Sequence, residues 1–247
     1  MIDNRQQQLT LTGKQVAAMC HRRFGIGADG LILLEPEPGV DFRMVYYNSD
    51  GNRSSMCGNG GRCITAFARD MGVIAGNAKF FAIDGLHESS VEGDQVALRM
   101  QDVKHVEAGG DFYYLDTGSP HYVKIVKDVD AVDVLNEGKK IRYNDRFAAE
   151  GTNVNFMSAV NDEVFVRTYE RGVEDETFSC GTGVTASALV AALKGMSTSR
   201  NACIVHTRGG MLEVTFEKVL EQNFYNIWLK GEAKKVFSGT VTIEEEE

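Results

Sequence analysis

The sequence predicts an α+β fold of two similar halves, each a curled sheet wrapped around one central helix. Strand-like runs joined by Gly- and Asp-containing turns dominate the chain. One long apolar-periodic helical run interrupts them in each half, at about 60–71 and 183–193. Two short stretches at the mouths of these helices echo each other. They read Met56-Cys57-Gly58-Asn59-Gly60-Gly61-Arg62-Cys63 and Ser179-Cys180-Gly181-Thr182-Gly183-Val184-Thr185-Ala186. Each follows a strand-like run, 44–47 or 164–169, and a polar turn. The two leading cysteines are separated by about half of the 247 residues, which points to an internal duplication with one cysteine per half.

Taken in order, residues 9–22 fit a helix with Val16, Met19 and Cys20 on one face and Thr12 as its cap. Residues 24–30 form a glycine-rich turn. It is no dinucleotide loop, because a helical run precedes it and a strand, 31–34, follows, the reverse of the Rossmann order. Residues 41–47 alternate as a strand and 48–52 turn. The first central helix packs Cys63, Ile64, Phe67 and Met71, with Gly72 as its stop, so Cys63 reads as structural. Short strands follow at 79–83, 88–91, 95–100 and 113–115. Residues 116–123 read as a tight Gly-Ser-Pro loop that carries His121 into a strand. A lone histidine is more often structural, but such loops are where site residues lie. A strand starts at 152–157 with Asn153 at its head, and another through 167–169 leads to Glu170, Arg171 and the second cysteine. The second central helix is rich in Ala, Val and Leu with hardly a polar face, so it is expected to be buried nearly all round. Cys203 falls in a strand-like run as packing, and strands at 211–216, 224–230 and 233–243 complete the chain.

The net charge of −9 argues against a nucleic-acid or anionic-membrane surface and leaves room for a small anionic substrate in a local pocket. No apolar run is long enough to span a membrane. Residues 1–8 lack a signal-peptide pattern. Five cysteines without disulfide-framework spacing suggest a reduced, cytoplasmic protein, and no Cys-x-x-Cys pair suggests zinc or another metal. The run 244–247 reads as a solvated tail.

A cysteine at a helix mouth has a chemical meaning. The first turn offers backbone N–H groups and a partial positive charge, which stabilise a thiolate and can hold a carboxylate. Adjacent glycines let a ligand approach the backbone. Free cysteines are usually buried small hydrophobes, but packing does not require the same Cys-Gly-polar-Gly signature twice.

Seven motifs in order, Gly-Ala-Asp-Gly (27–30), Tyr-Asn-Ser-Asp-Gly (47–51), Cys-Gly-Asn-Gly-Gly-Arg-Cys (57–63), Gly-Ser-Pro-His (118–121), Thr-Asn-Val-Asn-Phe (152–156), Tyr-Glu-Arg-Gly (169–172) and Ser-Cys-Gly-Thr-Gly (179–183), carry a resemblance to a known family over nearly the whole chain. The sequence resembles the diaminopimelate epimerases, among the cofactor-independent two-cysteine epimerases and racemases. The resemblance implies two domains, taken as 1–113 with 233–247 and 114–232, each a β-barrel around a central helix, with the active site between them. It implies Cys57 and Cys180 as the acid/base pair. Asn48, Asn153, Glu170 and Arg171 match positions that hold substrate, and Gly58, Asn59, Gly181 and Thr182 match backbone sites for the reacting carboxylate. His121 and Glu170 match residues that tune the cysteines. No cofactor is implied. The expected partners are a small molecule, diaminopimelate, and a second copy in a homodimer, with no nucleic acid and no membrane.

Three positions depart from the pattern. Ser119 stands where many relatives have Asn, and Gly30 where some have Gln. The family opens with a strand containing Gly-Asn-Asp-Phe whose Asn touches substrate, and the sequence given begins with what usually follows it. Either the start site is misplaced, the chain given is cut, or the protein lacks that strand; a missing strand would leave an unpaired edge prone to association.

The implied reaction inverts one α-carbon of a diamino diacid, between the LL and meso forms. Two sulfurs on opposite faces, one thiolate and one thiol, can remove and deliver the proton. Closure of two domains would exclude water. The alternatives are a sister racemase or isomerase of the same fold, acting on proline or hydroxyproline or working without the cysteines, a thiol redox protein cycling Cys57 and Cys180, and an inactive truncated form.

Overall fold

The computed structural model describes residues 1–54, 57–197, 199–220 and 222–243. Met56, which opens the first echoing stretch, and the 244–247 run lie outside the described residues. The chain divides into two compact units, Met1–Leu98 with Glu232–Glu247, and Arg99–Gly231.

The first unit contains β1 (Ile2–Asp3), α1 (Gly13–Cys20), β2 (Gly30–Glu35), β3 (Phe42–Asn48), α2 (Gly58–Asp70), β4 (Asn77–Ala82), β5 (Gly85–Glu92) and β6 (Gln95–Arg99). β1 runs parallel to β2, and β2 antiparallel to β3. β3 pairs in parallel with β4 across a crossover that carries α2, and two hairpins close the series through β5 and β6. A parallel pair needs such a crossover, which is why the helix stands between those strands.

The second unit contains β7 (Glu107–Ala108), β8 (Tyr113–Asp116), β9 (Pro120–Ile125), α3 (Val134–Arg142), β10 (Asn153–Val160), β11 (Glu163–Glu170), β12 (Asp175–Thr177), α4 (Gly181–Lys194), β13 (Ala202–Thr207), β14 (Gly210–Leu220) and β15 (Asn223–Glu232). From β9 the pattern of the first unit recurs. β9 is parallel to β10, β10 antiparallel to β11, β11 parallel to β13 around α4, and hairpins join β13, β14 and β15. The repeated order and sense of pairing match the duplication read from the sequence.

Local chemistry explains the helices. Thr12 caps α1 through a capping box with Gln15, and Val16, Met19 and Cys20 pack on Leu11, Leu31, Leu33 and Tyr47. In α4, Gly181 and every residue from Gly183 to Ala191 are buried, and the helix packs on β8, β9, β10, β11, β13 and β14. The sheet thus curls around an apolar helix, as its composition predicts. Gly195, at φ 67°, ends it in the left-handed conformation. Gly51, at φ 87°, is pressed against the Gly13 backbone, so no side chain fits there, and α1 is pinned to the turn after β3.

The structure departs from the sequence reading at several points of the fold. Residues 99–113 belong to the second unit, because Met100 N–H donates to Ile227 O and Val103 exchanges two hydrogen bonds with Phe224. Residues 233–243 form no strand, and Val236 and Phe237 are exposed. Cys63 is exposed rather than packed, because the buried face of α2 runs through Arg62, Ile64, Thr65, Ala66 and Ala68. The sequence reading had no counterpart of α3, which Asp133 caps at its N-terminus and Lys139, Lys140 and Arg142 complement at its C-terminus. Among the described residues, no helix is long and apolar enough to cross a membrane.

Arg167 on β11 ties the second unit together. Its Nε and Nη2 fork onto Glu176 at 2.7 Å each, and its Nη1 donates to the carbonyls of Val129, Asp130 and Val132. Arg167→Ala would remove the two-pronged partner of a half-buried carboxylate, leaving it the Arg208 Nη1 contact at 3.0 Å, and would free three carbonyls. It is expected to cost about 3–5 kcal/mol of unfolding free energy in urea titrations, with Arg167→Lys recovering only a fraction because an ammonium cannot fork. A cost below about 1 kcal/mol would be that of an exposed pair and would contradict this role.

Candidate active site

In the first unit, β3 delivers the chain to a turn and an isolated Tyr47–Arg53 bridge folds it back toward α2. Cys57 is the N-cap of α2, with extended backbone (φ −110°, ψ 151°), and its Sγ accepts the Gly60 N–H at 3.2 Å. The sulfur does what a cap oxygen usually does, and the residue is exposed. The helix end and this N–H both favour the thiolate. Arg62 is buried one turn on, donating from Nη2 to Asn59 Oδ1 at 2.9 Å and from Nη1 to Gly58 O at 3.3 Å. Burial lowers its pKa, opposed by the charges of Cys63 and Cys57. Asn48 ends β3 opposite Gly30, and the turn beyond it is held by backbone bonds from Asn48 N to Asn52 O and from Gly51 N to Asn48 O, both 2.9 Å. Its carboxamide is therefore not needed to hold the turn. At Gly30 a Cβ would meet the Tyr46 ring and the Tyr47 carbonyl, so this backbone admits no larger residue there.

In the second unit, Cys180 is the N-cap of α4 (φ −114°, ψ 110°) and is buried, with Sγ 3.5 Å from Thr182 Oγ1. Thr117 Oγ1 donates to Thr182 O at 2.9 Å and braces the first turn from the loop before β9. His121 is not in that loop. It is the second residue of β9, in register with Leu115 and Asn153, and fully buried. Proline is tolerated at the first position of a strand, so β9 begins at Pro120 and takes His121 inward. Burial first, and the Arg171 charge with it, lower the His121 pKa against the opposing Asn155 hydrogen bond, to about 3 in all, so the ring is neutral.

Asn153 clamps the neighbouring loops. Its Nδ2 donates to Ser119 Oγ at 2.6 Å and to Pro120 O at 3.1 Å, and its Oδ1 accepts the Arg171 N–H at 2.9 Å. Ser119 thus serves as an internal acceptor. Arg171 is exposed, with Nη1 on Glu150 O at 2.9 Å. Glu170 is half-buried; burial raises its pKa, and the Thr177 hydroxyl on its Oε2 at 2.8 Å opposes the rise. One run of contacts joins these residues: α4 packs Gly183 onto His121, His121 pairs with Asn153, and Asn153 holds Arg171. Thr117, Asn155 and Thr168 were not singled out by the sequence reading. The signal available for the last two was a polar residue at an inward position of a strand.

The sequence model of the family described as Diaminopimelate epimerase matches residues 1–106 and 113–236. The chain belongs to the diaminopimelate epimerase family. Relatives named diaminopimelate epimerase include those of Flavobacterium psychrophilum, 49% identical over 98% of this chain and 94% of that protein, and Chlorobaculum tepidum, 44% identical over 98% and 96%. As a member of this family the chain is an isomerase. Solved structures of a Bacillus anthracis phenazine biosynthesis protein of the PhzF family (TM-score 0.67, 17% identity, 94% of this chain and 90% of that one) and of a probable proline racemase from Agrobacterium radiobacter (TM-score 0.65, 15%, 94% and 81%) share its fold.

The neutral His121 has a stability consequence. In the unfolded chain it takes up a proton below its ordinary pKa of 6.5, and in the folded epimerase-family chain only near 3. Its contribution is complete above pH 6.5 and is lost as pH falls toward 3. Between pH 6.5 and 5, unfolding free energy should fall more steeply for the wild type than for His121→Gln, by up to about 1.4 kcal/mol per pH unit. Equal slopes would contradict a buried neutral ring.

Proposed function

We propose that the chain interconverts LL-2,6-diaminopimelate and meso-diaminopimelate without a cofactor, with Cys57 and Cys180 exchanging thiolate and thiol roles. The observation that carries this reading is that both cysteines are N-cap residues of the corresponding helices of a repeated topology, within a family of epimerases. Inversion removes a proton from one face of the α-carbon and delivers one to the other, so it needs two groups, one ionised and one protonated. The α-hydrogen is weakly acidic, and the charge that develops on its removal must be stabilised by fixed donors. The first intrahelical bonds of α2 and α4 begin at Gly61 and Val184. Gly58, Asn59, Gly181 and Thr182 precede them and are the positions that address the reacting carboxylate.

The distal end of the substrate needs its own recognition. Arg171 suits a carboxylate, and Asn48 and Glu170 suit an ammonium. Asn153 holds Ser119 and Arg171 in place and keeps one oxygen lone pair for the substrate. His121 and Glu170 tune the cysteines. The reading places the enzyme in the reducing cytoplasm, where both thiols persist, and includes a homodimer, which light scattering would check.

The test is to incubate the reduced protein with LL-diaminopimelate, add no cofactor, and follow the meso form. Cys57→Ala and Cys180→Ala should each lower kcat by about 10³-fold or more, while both variants still unfold cooperatively. Inversion retained by either variant would sink the two-sulfur mechanism. A preference for proline over diaminopimelate would reassign the substrate.

A further inference from the structure

The polar contacts around His121 fix where its single proton lies. Asn155 is fully buried on β10. One terminal atom of its carboxamide lies 3.0 Å from Tyr122 O, which can only accept, so that atom must be the nitrogen. The same nitrogen lies 3.1 Å from His121 Nδ1. The other terminal atom is the oxygen, and it accepts the Thr168 hydroxyl at 2.9 Å. With one N–H on Tyr122 O, the second N–H is directed at His121 Nδ1, which must therefore be the unprotonated nitrogen. The buried neutral ring carries its proton on Nε2. Nε2 is itself buried and has no hydrogen-bond partner among the described residues.

This arrangement sits against the helix that Cys180 caps. At Gly183 a Cβ would overlap Asn155 Oδ1 and lie 3.3 Å from His121 Cε1, so the first turn of α4 rests directly on the pair. We infer that Asn155, oriented by Thr168, is a positioning residue that holds His121 as a fixed Nε2–H donor beside the Cys180 helix mouth. The inference deepens the proposed function and rests on it for its catalytic meaning. A ring whose Nδ1 is occupied and whose Nε2 carries the proton has no lone pair to take a proton from a thiol. It can only donate, so its action on a developing thiolate or carboxylate is to stabilise negative charge, not to serve as a base. This separates the proton-moving groups, the sulfurs, from the histidine.

The experiment reads the proton directly. In protein with ¹⁵N-labelled histidine, long-range ¹H–¹⁵N spectra at pH 7.5, assigned with His121→Gln, should show His121 as the Nε2–H tautomer. An Nδ1–H tautomer or an imidazolium in the wild type would overturn the inference, whether or not the protein epimerises diaminopimelate. Asn155→Asp replaces the donor with an acceptor. His121 should then move its proton to Nδ1 or become doubly protonated, with kcat falling about 10- to 100-fold and KM changing little, as for other partners that orient a histidine. Thr168→Val, which removes only the hydroxyl, should mix the tautomers, and Thr168→Ser should restore the wild-type spectrum. A wild-type tautomer and kcat in folded Asn155→Asp would refute the positioning role. If the tautomers behave as expected but no variant or wild type turns over diaminopimelate, the proposed function fails and the fixed donor stands.

Discussion

A sulfur at the N-cap of a helix is held by constraints that come from both sides of it. The residue needs extended backbone, which both cysteines adopt at φ near −110°, and the residues after it must start a helix. Its position is then only as firm as that helix. In α4 the body is buried nearly all round and packed on six strands, so it can neither rotate nor slide without exposing Val and Leu side chains. The polar mouth of the helix is the one part that such a sheet cannot absorb. Backbone N–H groups at a helix start need an outside acceptor; at α2 the Cys57 sulfur meets part of that need by accepting the Gly60 N–H, whereas Cys180 makes no side-chain cap bond at α4.

The two sulfurs share a backbone position but not an environment. Cys57 is exposed, accepts a backbone N–H, and has the buried cation Arg62 in the first turns of its helix. Cys180 is buried beside a hydroxyl, with the neutral His121 packed under its helix. The two sulfurs therefore differ in exposure and in the groups that face them, although each begins the corresponding helix of its unit.

Much of this was legible in the sequence where short-range chemistry decides the outcome. The Cys-Gly-polar-Gly signatures mark both helix mouths, Thr12 marks the cap of α1, and the Ala-, Val- and Leu-rich run marks α4 as buried. Less legible were features set by distant partners. His121 looks like a loop residue because Gly118, Ser119 and Pro120 precede it, and only pairing with Leu115 and Asn153 makes it a buried strand residue. Val236 and Phe237 read as strand by composition but are exposed and lie in no strand. Asn155 and Thr168 are seen as a pair only when β10 and β11 place them opposite one another, next to the Val154–Tyr169 pair. Asn153, expected from the resemblance to hold substrate, is an internal clamp in the structure, which no spacing rule predicts.

The most direct test of two sulfurs acting on opposite faces is the isotopic content of the product at the first turnover. Enzyme equilibrated in D₂O is mixed in excess with protiated LL-diaminopimelate and quenched before one turnover completes. The account predicts that each meso molecule formed carries one deuterium at its inverted carbon, delivered by the second sulfur, while recovered LL substrate carries none. Meso product that retains the substrate's own protium would show one base serving both faces, and would contradict the account.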